Sequence, residues 1–343
     1  GVNGFRLDTI NFYFADKYLR DNPSLPKELR NDSIAPSVNP YNHQLHLFSK
    51  NQPKNLEFLR KFRAVLNPYN AAAVGEVGDA QRGLEIMAEY TSGGDKVQMC
   101  YPFEMLQPAR LTAGLAKLTF DRLAAAAPDA WPCWAYSNHD TVRHITRWQL
   151  SDAAARVYAT MLMCLRGSVC LYQGEELGQT ETNIEYHELT DPPGFKFWPE
   201  YKGRDGCRTP MVWDGSDHGG FSDVKPWLPV KAPQLSRNVA AQEGVAGSVL
   251  EFYRAMLAFR RGSVLAGRGT RFLDVPEPVL AFTRGGGMLC VFNLSAGEVS
   301  MAVHGAGGLT GPDGGAVLTG GRLRLPPLGF AFVADAGDAA LEM

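Results

Sequence analysis

In the first half of this 343-residue sequence, short apolar runs alternate with longer segments whose apolar residues recur every three or four positions. The short runs predict strands at residues 2–7, 71–77, 97–103, 131–136 and 168–172. The longer segments predict helices at residues 11–19, 55–66, 80–90, 110–126 and 151–166. Strands that alternate with helices form βαβ units, whose strands lie parallel in one sheet. The chain is therefore predicted to be an α/β protein.

Acidic residues stand at the ends of three of these predicted strands. Asp8 directly follows the first, Glu76 lies near the end of the second, and Asp140 follows the fourth. Polar residues clustered after parallel strands are typical of a (β/α)8 TIM barrel, whose site lies at the C-terminal face. Only five strands are predicted where a closed barrel needs eight, so the pattern alone also permits an open doubly wound sheet.

The character of the sequence changes in its second half. Residues 179–233 are rich in Pro, Gly and Asp and predict loops, and residues 248–261 predict one more helix. After Gly262 the chain is glycine-rich with short apolar runs, which predicts a small antiparallel β-sandwich. We therefore predict two domains, an α/β domain over residues 1–261 and an all-β domain over residues 262–343. Residues 20–53 have no periodicity and predict a long loop near the site.

The chemistry of the strand ends centres on carboxylic acids. Arg6 lies two positions before Asp8 on the same strand, so both side chains point to one side and the guanidinium favours the ionised carboxylate. Glycosidases use two acids in opposite protonation states, one to attack the anomeric carbon and one to protonate the leaving oxygen. Each acid alone also has a structural explanation, since an aspartate at a strand end is often a helix cap.

Five segments, in this order, resemble the α-amylase superfamily, glycoside hydrolase family 13. They are GFRLDTIN at residues 4–11, VGEVGD at 74–79, YSNHD at 136–140, YQGEELG at 172–178 and GRDGCRTPM at 203–211. The last two resemble segments of its α-glucosidase and oligo-glucosidase branch. The resemblance covers residues 1–261 and, more loosely, the terminal sandwich.

The resemblance implies a retaining α-glucosidase that hydrolyses, or transglucosylates, short α-linked glucosides such as maltose by double displacement. It implies that Asp8 is the nucleophile, Glu76 the acid/base and Asp140 a third carboxylate that binds the sugar. Substrate-binding roles are implied for Arg6, Thr9, His139, Arg204 and Arg208. Phe103, at the end of its predicted strand, is a candidate for a sugar-facing wall, with core packing as the favoured alternative. A threonine at the position of Thr9 is similar to maltase-like members, and a valine there to isomaltases.

Part of the family pattern is not found. The first signature region, an aspartate and an Asn-His pair after the third strand, is absent, as are the first three strands. Residues 1–261 therefore resemble the second half of the barrel, strands 4 to 8. We expect the N-terminal half to come from the same or a second chain, and this polypeptide alone to be inactive. A sucrose- or trehalose-type glucosyl-transferring relative and the non-catalytic heavy chains of amino-acid transporters are the alternatives.

Composition limits the partners and cofactors. With 34 Lys and Arg against 36 Asp and Glu, the net charge of -2 gives no attraction for nucleic acid. No run approaches the roughly 18 apolar residues of a membrane helix. The six cysteines have no metal-like spacing and predict reduced core residues and a cytoplasmic protein. We expect no redox or nucleotide cofactor and no metal site here; a structural Ca²⁺ or monovalent cation would bind in the missing N-terminal part.

Overall fold

The computed structural model describes residues 1–30, 35–79, 81–267 and 269–343. The chain divides into two compact units. Unit 1 comprises Gly1–Pro108, Thr119–Tyr136 and Ile184–Asp205. Unit 2 comprises Ala109–Leu118, Ser137–Asn183 and Gly206–Met343.

Helices and strands alternate through the first half of the chain, and strands dominate the last quarter. The α-helices of the described residues are α1 (Lys54–Leu66), α2 (Gly83–Thr91), α3 (Ala113–Ala126), α4 (His144–Arg147), α5 (Asp152–Cys164), α6 (Pro192–Phe197), α7 (Ala232–Leu235) and α8 (Val249–Gly262). The strands are β1 (Gly4–Leu7), β2 (Ala72–Val77), β3 (Met99–Pro102), β4 (Cys133–Trp134), β5 (Ser168–Val169), β6 (Thr270–Phe272), β7 (Val279–Arg284), β8 (Met288–Asn293), β9 (Val299–His304), β10 (Leu309–Thr310), β11 (Val317–Thr319), β12 (Arg322–Leu325), β13 (Phe330–Val333) and β14 (Ala340–Glu342).

Unit 1 contains a parallel sheet with the order β1-β2-β3, so the prediction of parallel strands is confirmed for this part of the chain. An isolated parallel bridge from Cys100 to Pro132 leads into β4. The helices between these strands follow the prediction closely: α1 begins one residue early, and α2 begins at Gly83 rather than at residue 80, which lies outside the described residues. The apolar faces of β3 and β4 meet in a small core that includes Tyr101, Leu106 and Cys133.

The predicted helix at residues 11–19 is wrong. The chain makes one 3-10 turn, Ile10–Phe12, and then leaves helical geometry. The carboxylate of Asp16 accepts hydrogen bonds from the backbone N–H groups of Tyr18 and Arg20, and it also pairs with the Arg20 guanidinium. Such a local side-chain-to-backbone turn competes with the helix ladder. Two of the aromatic residues that suggested a helix, Tyr13 and Phe14, pack instead on Phe58 of α1.

The long loop predicted at residues 20–53 is present, with residues 31–34 outside the described part. Its described residues form two 3-10 turns, Lys27–Leu29 and Pro40–His43, and one antiparallel bridge from Ser24 to Gln44. The loop returns to the strand ends through Asn51, whose backbone N–H donates to the carbonyl of Asn11. The loop therefore ends beside the turn that follows β1.

Unit 2 ends in two antiparallel sheets, which confirms the all-β character predicted for this region. Their orders are β10-β13-β8-β7-β6 and β11-β12-β9-β14. In β12 the arginines are exposed while Leu323 and Leu325 are buried, the alternation that places one face of a strand on a core. These leucines share one apolar cluster with Leu289 and Val291 of β8 and Val333 of β13, so both sheets contribute to the same core.

Among the described residues, no helix combines the length and the apolar character that crossing a bilayer requires.

Candidate active site

The two acids of unit 1 lie at the carboxyl ends of adjacent parallel strands. Asp8 follows the last residue of β1, and Glu76 is the penultimate residue of β2, with Leu7 opposite Gly75 in the register. A side chain at Gly75 would overlap Ile10 and lie 3.0 Å from Cys100 Sγ. Glycine at this position therefore allows the turn after Asp8 to close onto β2 next to Glu76.

One guanidinium contacts both carboxylates. Arg6 Nη1 pairs with Asp8 Oδ1, and Arg6 Nη2 lies 3.0 Å from Glu76 Oε2. The exposure of the two acids differs sharply, because the Asp8 side chain is 72% exposed and the Glu76 side chain 4%. The structure thus brings the two predicted acids together. Asp8 faces solvent beside the Arg6 cation, and Glu76 is buried away from solvent.

Burial raises the pKa of Glu76 above its ordinary value, and a side-chain hydrogen bond with Asp8 raises it further. The backbone N–H of Thr9, the charge of Arg6 and a hydrogen bond from Tyr101 lower it in part. A buried carboxyl group with a raised pKa can retain its proton for a leaving group, while a solvated carboxylate beside an arginine stays ionised. The two carboxyl groups therefore differ in protonation, as a displacement reaction assisted by an acid requires.

Thr9 occupies a strained backbone conformation. Its φ of 38° and ψ of 51° lie in the left-handed region, which β-branched residues rarely adopt. Strain of this kind amounts to roughly 1–3 kcal/mol and persists where the surrounding structure enforces it. The conformation directs the Thr9 N–H to Glu76 Oε2 at 3.1 Å. Thr9 therefore lies beside Glu76, with its backbone in contact with the acid, and its contact with substrate stays a prediction.

Asn11 ties the two strand ends together. It is fully buried, and its Oδ1 accepts the N–H of Gly78 at 3.0 Å while its Nδ2 donates to the Gly78 carbonyl at 3.2 Å. The same Nδ2 donates to Asn51 Oδ1 at 2.8 Å. From α1, Asn55 Nδ2 donates to the carbonyl of Ile10 at 2.7 Å. The sequence prediction gave these asparagines no role, although Asn11 lies within the first quoted segment.

Tyr101 is a site residue that the sequence prediction missed. It lies opposite Glu76 in the β2–β3 register, and its hydroxyl accepts a hydrogen bond from Arg6 Nη2. Burial and then the charge of Glu76 raise the pKa of Tyr101. Strand alignment could have identified it, because a residue opposite an acid in a parallel neighbour points the same way. Phe103 stacks on Tyr101 at a centroid distance of 6.4 Å and packs against the core cluster that contains Leu106.

Arg204, also in unit 1, is held by an aspartate. Its Nε and Nη2 donate to the two carboxylate oxygens of Asp191 at 3.0 and 2.8 Å, and its backbone N–H donates to the same side chain. The Asp191 side chain is 1% exposed, against 34% for Arg204. This two-pronged ion pair joins the residues on either side of α6. A contact of Arg204 with substrate stays a prediction.

The third predicted acid lies in unit 2 within its own small cluster. Arg208 Nη2 donates to Asp140 Oδ1 at 2.7 Å, and Arg208 Nε donates to the His139 carbonyl at 2.6 Å. His139 Nε2 lies 3.2 Å from Asp140 Oδ2. Three of the predicted residues are therefore in mutual contact. A partly exposed carboxylate between an imidazole and a guanidinium is well suited to accept sugar hydroxyl hydrogen bonds.

Within the described residues no three His, Cys, Asp or Glu side chains are grouped to hold a metal ion.

Comparison with known proteins connects this geometry to a family. The family model for the α-amylase catalytic domain matches residues 1–267. A Rhizobium meliloti protein named "Probable alpha-glucosidase" is 55% identical over 304 residues, which are 86% of this chain and 55% of the relative. The "Oligo-1,6-glucosidase" of Heyndrickxia coagulans is 28% identical over 81% of this chain and 54% of its own length.

A crystal structure of an α-glucosyl transfer enzyme, XgtA, is similar to the fold described above. It matches 98% of this chain and 64% of its own, with 43% sequence identity and a TM-score of 0.89. This chain spans about half the length of the curated relatives it matches.

Proposed function

This chain belongs to the α-amylase family, and on that premise we propose that it carries the catalytic residues of a retaining α-glucosidase acting on short α-linked glucosides such as maltose. The observation that supports this best is the contact of one guanidinium, that of Arg6, with both the exposed Asp8 and the buried Glu76. The names of the relatives, "Probable alpha-glucosidase" and "Oligo-1,6-glucosidase", agree with it.

In the proposed reaction a carboxylate oxygen of Asp8 attacks the anomeric carbon, and the glycosidic C–O bond breaks as Glu76 transfers its proton to the leaving oxygen. Water then attacks the anomeric carbon of the glucosyl ester. It gives a proton to Glu76 and releases Asp8 as the carboxylate. Two inversions at the same carbon return the α-configuration. The raised pKa of Glu76 suits it to donate first and accept second.

The remaining roles are proposed from the family resemblance and from local contacts. Asp140 and His139 bind hydroxyl groups of the glucosyl unit, and Arg208 fixes the Asp140 carboxylate. Arg6 keeps Asp8 ionised and oriented. Phe103 and Arg204 stay as candidate contacts beyond the reacting sugar.

We infer that residues 1–261 are strands 4 to 8 of a (β/α)8 barrel and that residues 262–343 are a separate all-β domain. The parallel order β1-β2-β3 and the half-length match to the relatives support this. We call this chain, together with the three barrel strands that this inference places before it on the same or a second polypeptide, the complete enzyme. We propose activity for the complete enzyme and none for this chain alone.

A transferase function is the second candidate, because the XgtA structure at 43% identity is described as an α-glucosyl transfer enzyme. Hydrolysis and transfer share the first step and differ in whether water or a sugar hydroxyl takes the glucosyl group. Products from maltose or sucrose, with and without an added acceptor sugar, separate the two. In either case we propose that the reaction needs no redox or nucleotide cofactor and takes place in the cytoplasm.

The experiment for the proposed function uses this chain fused behind the N-terminal part of the Rhizobium meliloti relative. Turnover of an aryl α-glucoside, whose leaving group is a phenol and not a second sugar, followed by proton NMR should release α-glucose first. Asp8→Asn and Glu76→Gln should each lower kcat by roughly 100-fold or more. Asp21→Asn, on an exposed aspartate at the start of the loop 20–53, should leave kcat unchanged. Initial release of β-glucose, or full activity of Asp8→Asn, would refute the proposal.

A further inference from the structure

A buried ion pair joins the end of loop 20–53 to the turn that follows β2 in unit 1. Lys50 Nζ lies 3.1 Å from Asp79 Oδ2, and the two side chains are 11% and 8% exposed. Asp79 is the last residue of the VGEVGD segment, and the proposed reaction gives it no role. Two opposite charges are thus withdrawn from water only three residues beyond Glu76 along the chain.

The carboxylate of Asp79 holds two segments at once. Its Oδ1 accepts the backbone N–H groups of Gln81 at 3.0 Å and Arg82 at 2.8 Å, which lead into α2. Its Oδ2 accepts Asn51 Nδ2 at 2.8 Å and pairs with Lys50. All four partners are donors, so an ionised carboxylate, which only accepts, fits this position.

The charge of Asp79 is retained in spite of its burial. Burial on its own would raise the pKa of Asp79, but the charge of Lys50, the N–H of Arg82 and the side chain of Asn51 outweigh it, and the pKa lies below its ordinary value. A buried ion pair is a weak source of net stability, because both charges lose their hydration. The pair does impose a fixed geometry, since either charge left alone would be buried without its partner.

Lys50 and Asn51 extend this geometry to the turns after β1 and β2. Lys50 Nζ donates to the carbonyl of Gly78, in the turn after β2, at 3.2 Å, and it lies 5.5 Å from the ring centroid of Phe12, in the turn after β1. The Asn51 N–H donates to the Asn11 carbonyl at 2.7 Å, and Asn51 Oδ1 accepts Asn11 Nδ2 at 2.8 Å. Two neighbouring residues, both bound by Asp79, therefore join one turn to the other.

The surroundings of Glu76 depend on this junction. Thr9, in the turn after β1, donates its N–H to Glu76 Oε2 at 3.1 Å, and Arg6 Nη2 lies 3.0 Å from the same oxygen. If the two turns separate, these donors move relative to the acid. A displacement of about 1 Å in a group that takes part in a reaction can lower the rate by roughly 100-fold.

We propose that Asp79, paired with Lys50, is a positioning residue that fixes Glu76 for proton transfer to the leaving group. This inference rests on the proposed function of Glu76 as the acid. Asp79 acts through Lys50 and Asn51 and not on the substrate. Because a well-placed acid matters only where the leaving atom needs a proton, the loss caused by removing Asp79 depends on the leaving group.

The test compares two substrates of the complete enzyme. The leaving sugar of maltose needs a proton, whereas the fluoride of α-glucosyl fluoride departs with little help from an acid. Asp79→Asn places an NH2 group where the carboxylate now accepts. It should lower kcat/KM for maltose by roughly 10- to 100-fold and kcat/KM for the fluoride by less than about threefold. Glu76→Gln should show the same pattern more strongly.

A second variant and a control accompany this substitution. Lys50→Met keeps most of the side-chain length and removes the charge, so it should give the same selective loss even if Asp79→Asn does not fold. Asp95→Asn is the matched control, because it breaks an ion pair with Arg60 in unit 1 whose side chains are both about half exposed. Both substrates should stay within about twofold of the unmodified enzyme in this control.

Hydrogen exchange tests the junction without any turnover. In Asp79→Asn, peptides covering residues 4–16 and 45–56 should exchange at least about tenfold faster, because both segments lose their attachment to the turn after β2. The same peptides should exchange at an unchanged rate in Asp95→Asn. If the complete enzyme hydrolyses neither substrate, the proposed function fails, and these exchange rates still decide whether Asp79 joins the two turns.

Three results would overturn the proposal. The first is an equal loss for maltose and α-glucosyl fluoride, since a smaller folded fraction lowers the turnover of every substrate alike. The second is an Asp79→Asn variant with the maltose kcat/KM of the unmodified enzyme. The third is unchanged exchange in both peptides.

Discussion

Replacing Asn11 by alanine should separate the two strand ends that carry Asp8 and Glu76, the proposed catalytic acids. The fully buried side chain makes three hydrogen bonds, two with the backbone of Gly78 and one with Asn51. The Gly78 carbonyl keeps a second donor, Lys50 Nζ at 3.2 Å. The substitution therefore leaves two groups without their hydrogen-bond partner, the Gly78 N–H and the Asn51 amide oxygen. At roughly 1–3 kcal/mol for each of these two groups, the local free energy of unfolding should fall by about 2–6 kcal/mol.

Hydrogen exchange followed by mass spectrometry measures this loss where it occurs. A peptide covering residues 4–16 of Asn11→Ala should exchange at least about 30-fold faster, since 1.4 kcal/mol is a factor of ten. The kcat should fall by roughly 100-fold, because Asp8 and Glu76 lose their fixed separation. Asn67→Ala is the control, since it removes one hydrogen bond on an exposed asparagine and should change stability by less than about 0.5 kcal/mol. Unchanged exchange in the 4–16 peptide would refute the argument.

Three further predictions concern residues at the two sites. Arg6→Gln should move the alkaline limb of the kcat/KM profile to higher pH, because the Arg6 charge lowers the pKa of Glu76 and that limb marks loss of its proton; a shift to lower pH would contradict this. Thr9→Val should raise the ratio of isomaltose to maltose turnover, as the family resemblance implies, and the rate of glucose release from each sugar measures this ratio. An unchanged ratio would mean that Thr9 does not set the linkage preference. Arg208→Lys should lower kcat/KM roughly 10- to 100-fold, because lysine cannot contact both the Asp140 carboxylate and the neighbouring carbonyl; a loss under about threefold would count against it.

The sequence predicts the parts of this fold that depend on periodicity. The apolar spacing of residues 55–66 yields α1 within one residue, and the alternation of strands and helices yields the parallel order of β1, β2 and β3. The proximity of Asp8 and Glu76 follows from the same pattern, because the carboxyl ends of parallel neighbours meet at one edge of a sheet. The antiparallel sheets after residue 262 follow from glycine-separated apolar runs.

The sequence does not predict features that arise from tertiary contacts. The segment at residues 11–19 has helical spacing, but the Asp16 turn and packing on α1 override it. The left-handed backbone of Thr9 has no local signal, since threonine disfavours that conformation. The pairing of Arg204 with Asp191 joins residues 13 positions apart through a loop without periodicity.

The identity of the nucleophile is the most direct test of this mechanism. The complete enzyme would be treated with 2-deoxy-2-fluoro-α-glucosyl fluoride, whose fluoride leaves readily while the fluorine at C2 slows hydrolysis of the ester that forms. Peptide mapping by mass spectrometry should then locate one fluoroglucosyl group on Asp8, and Asp8→Asn should remain unlabelled. A label on Glu76, Asp140 or any other residue would contradict the account.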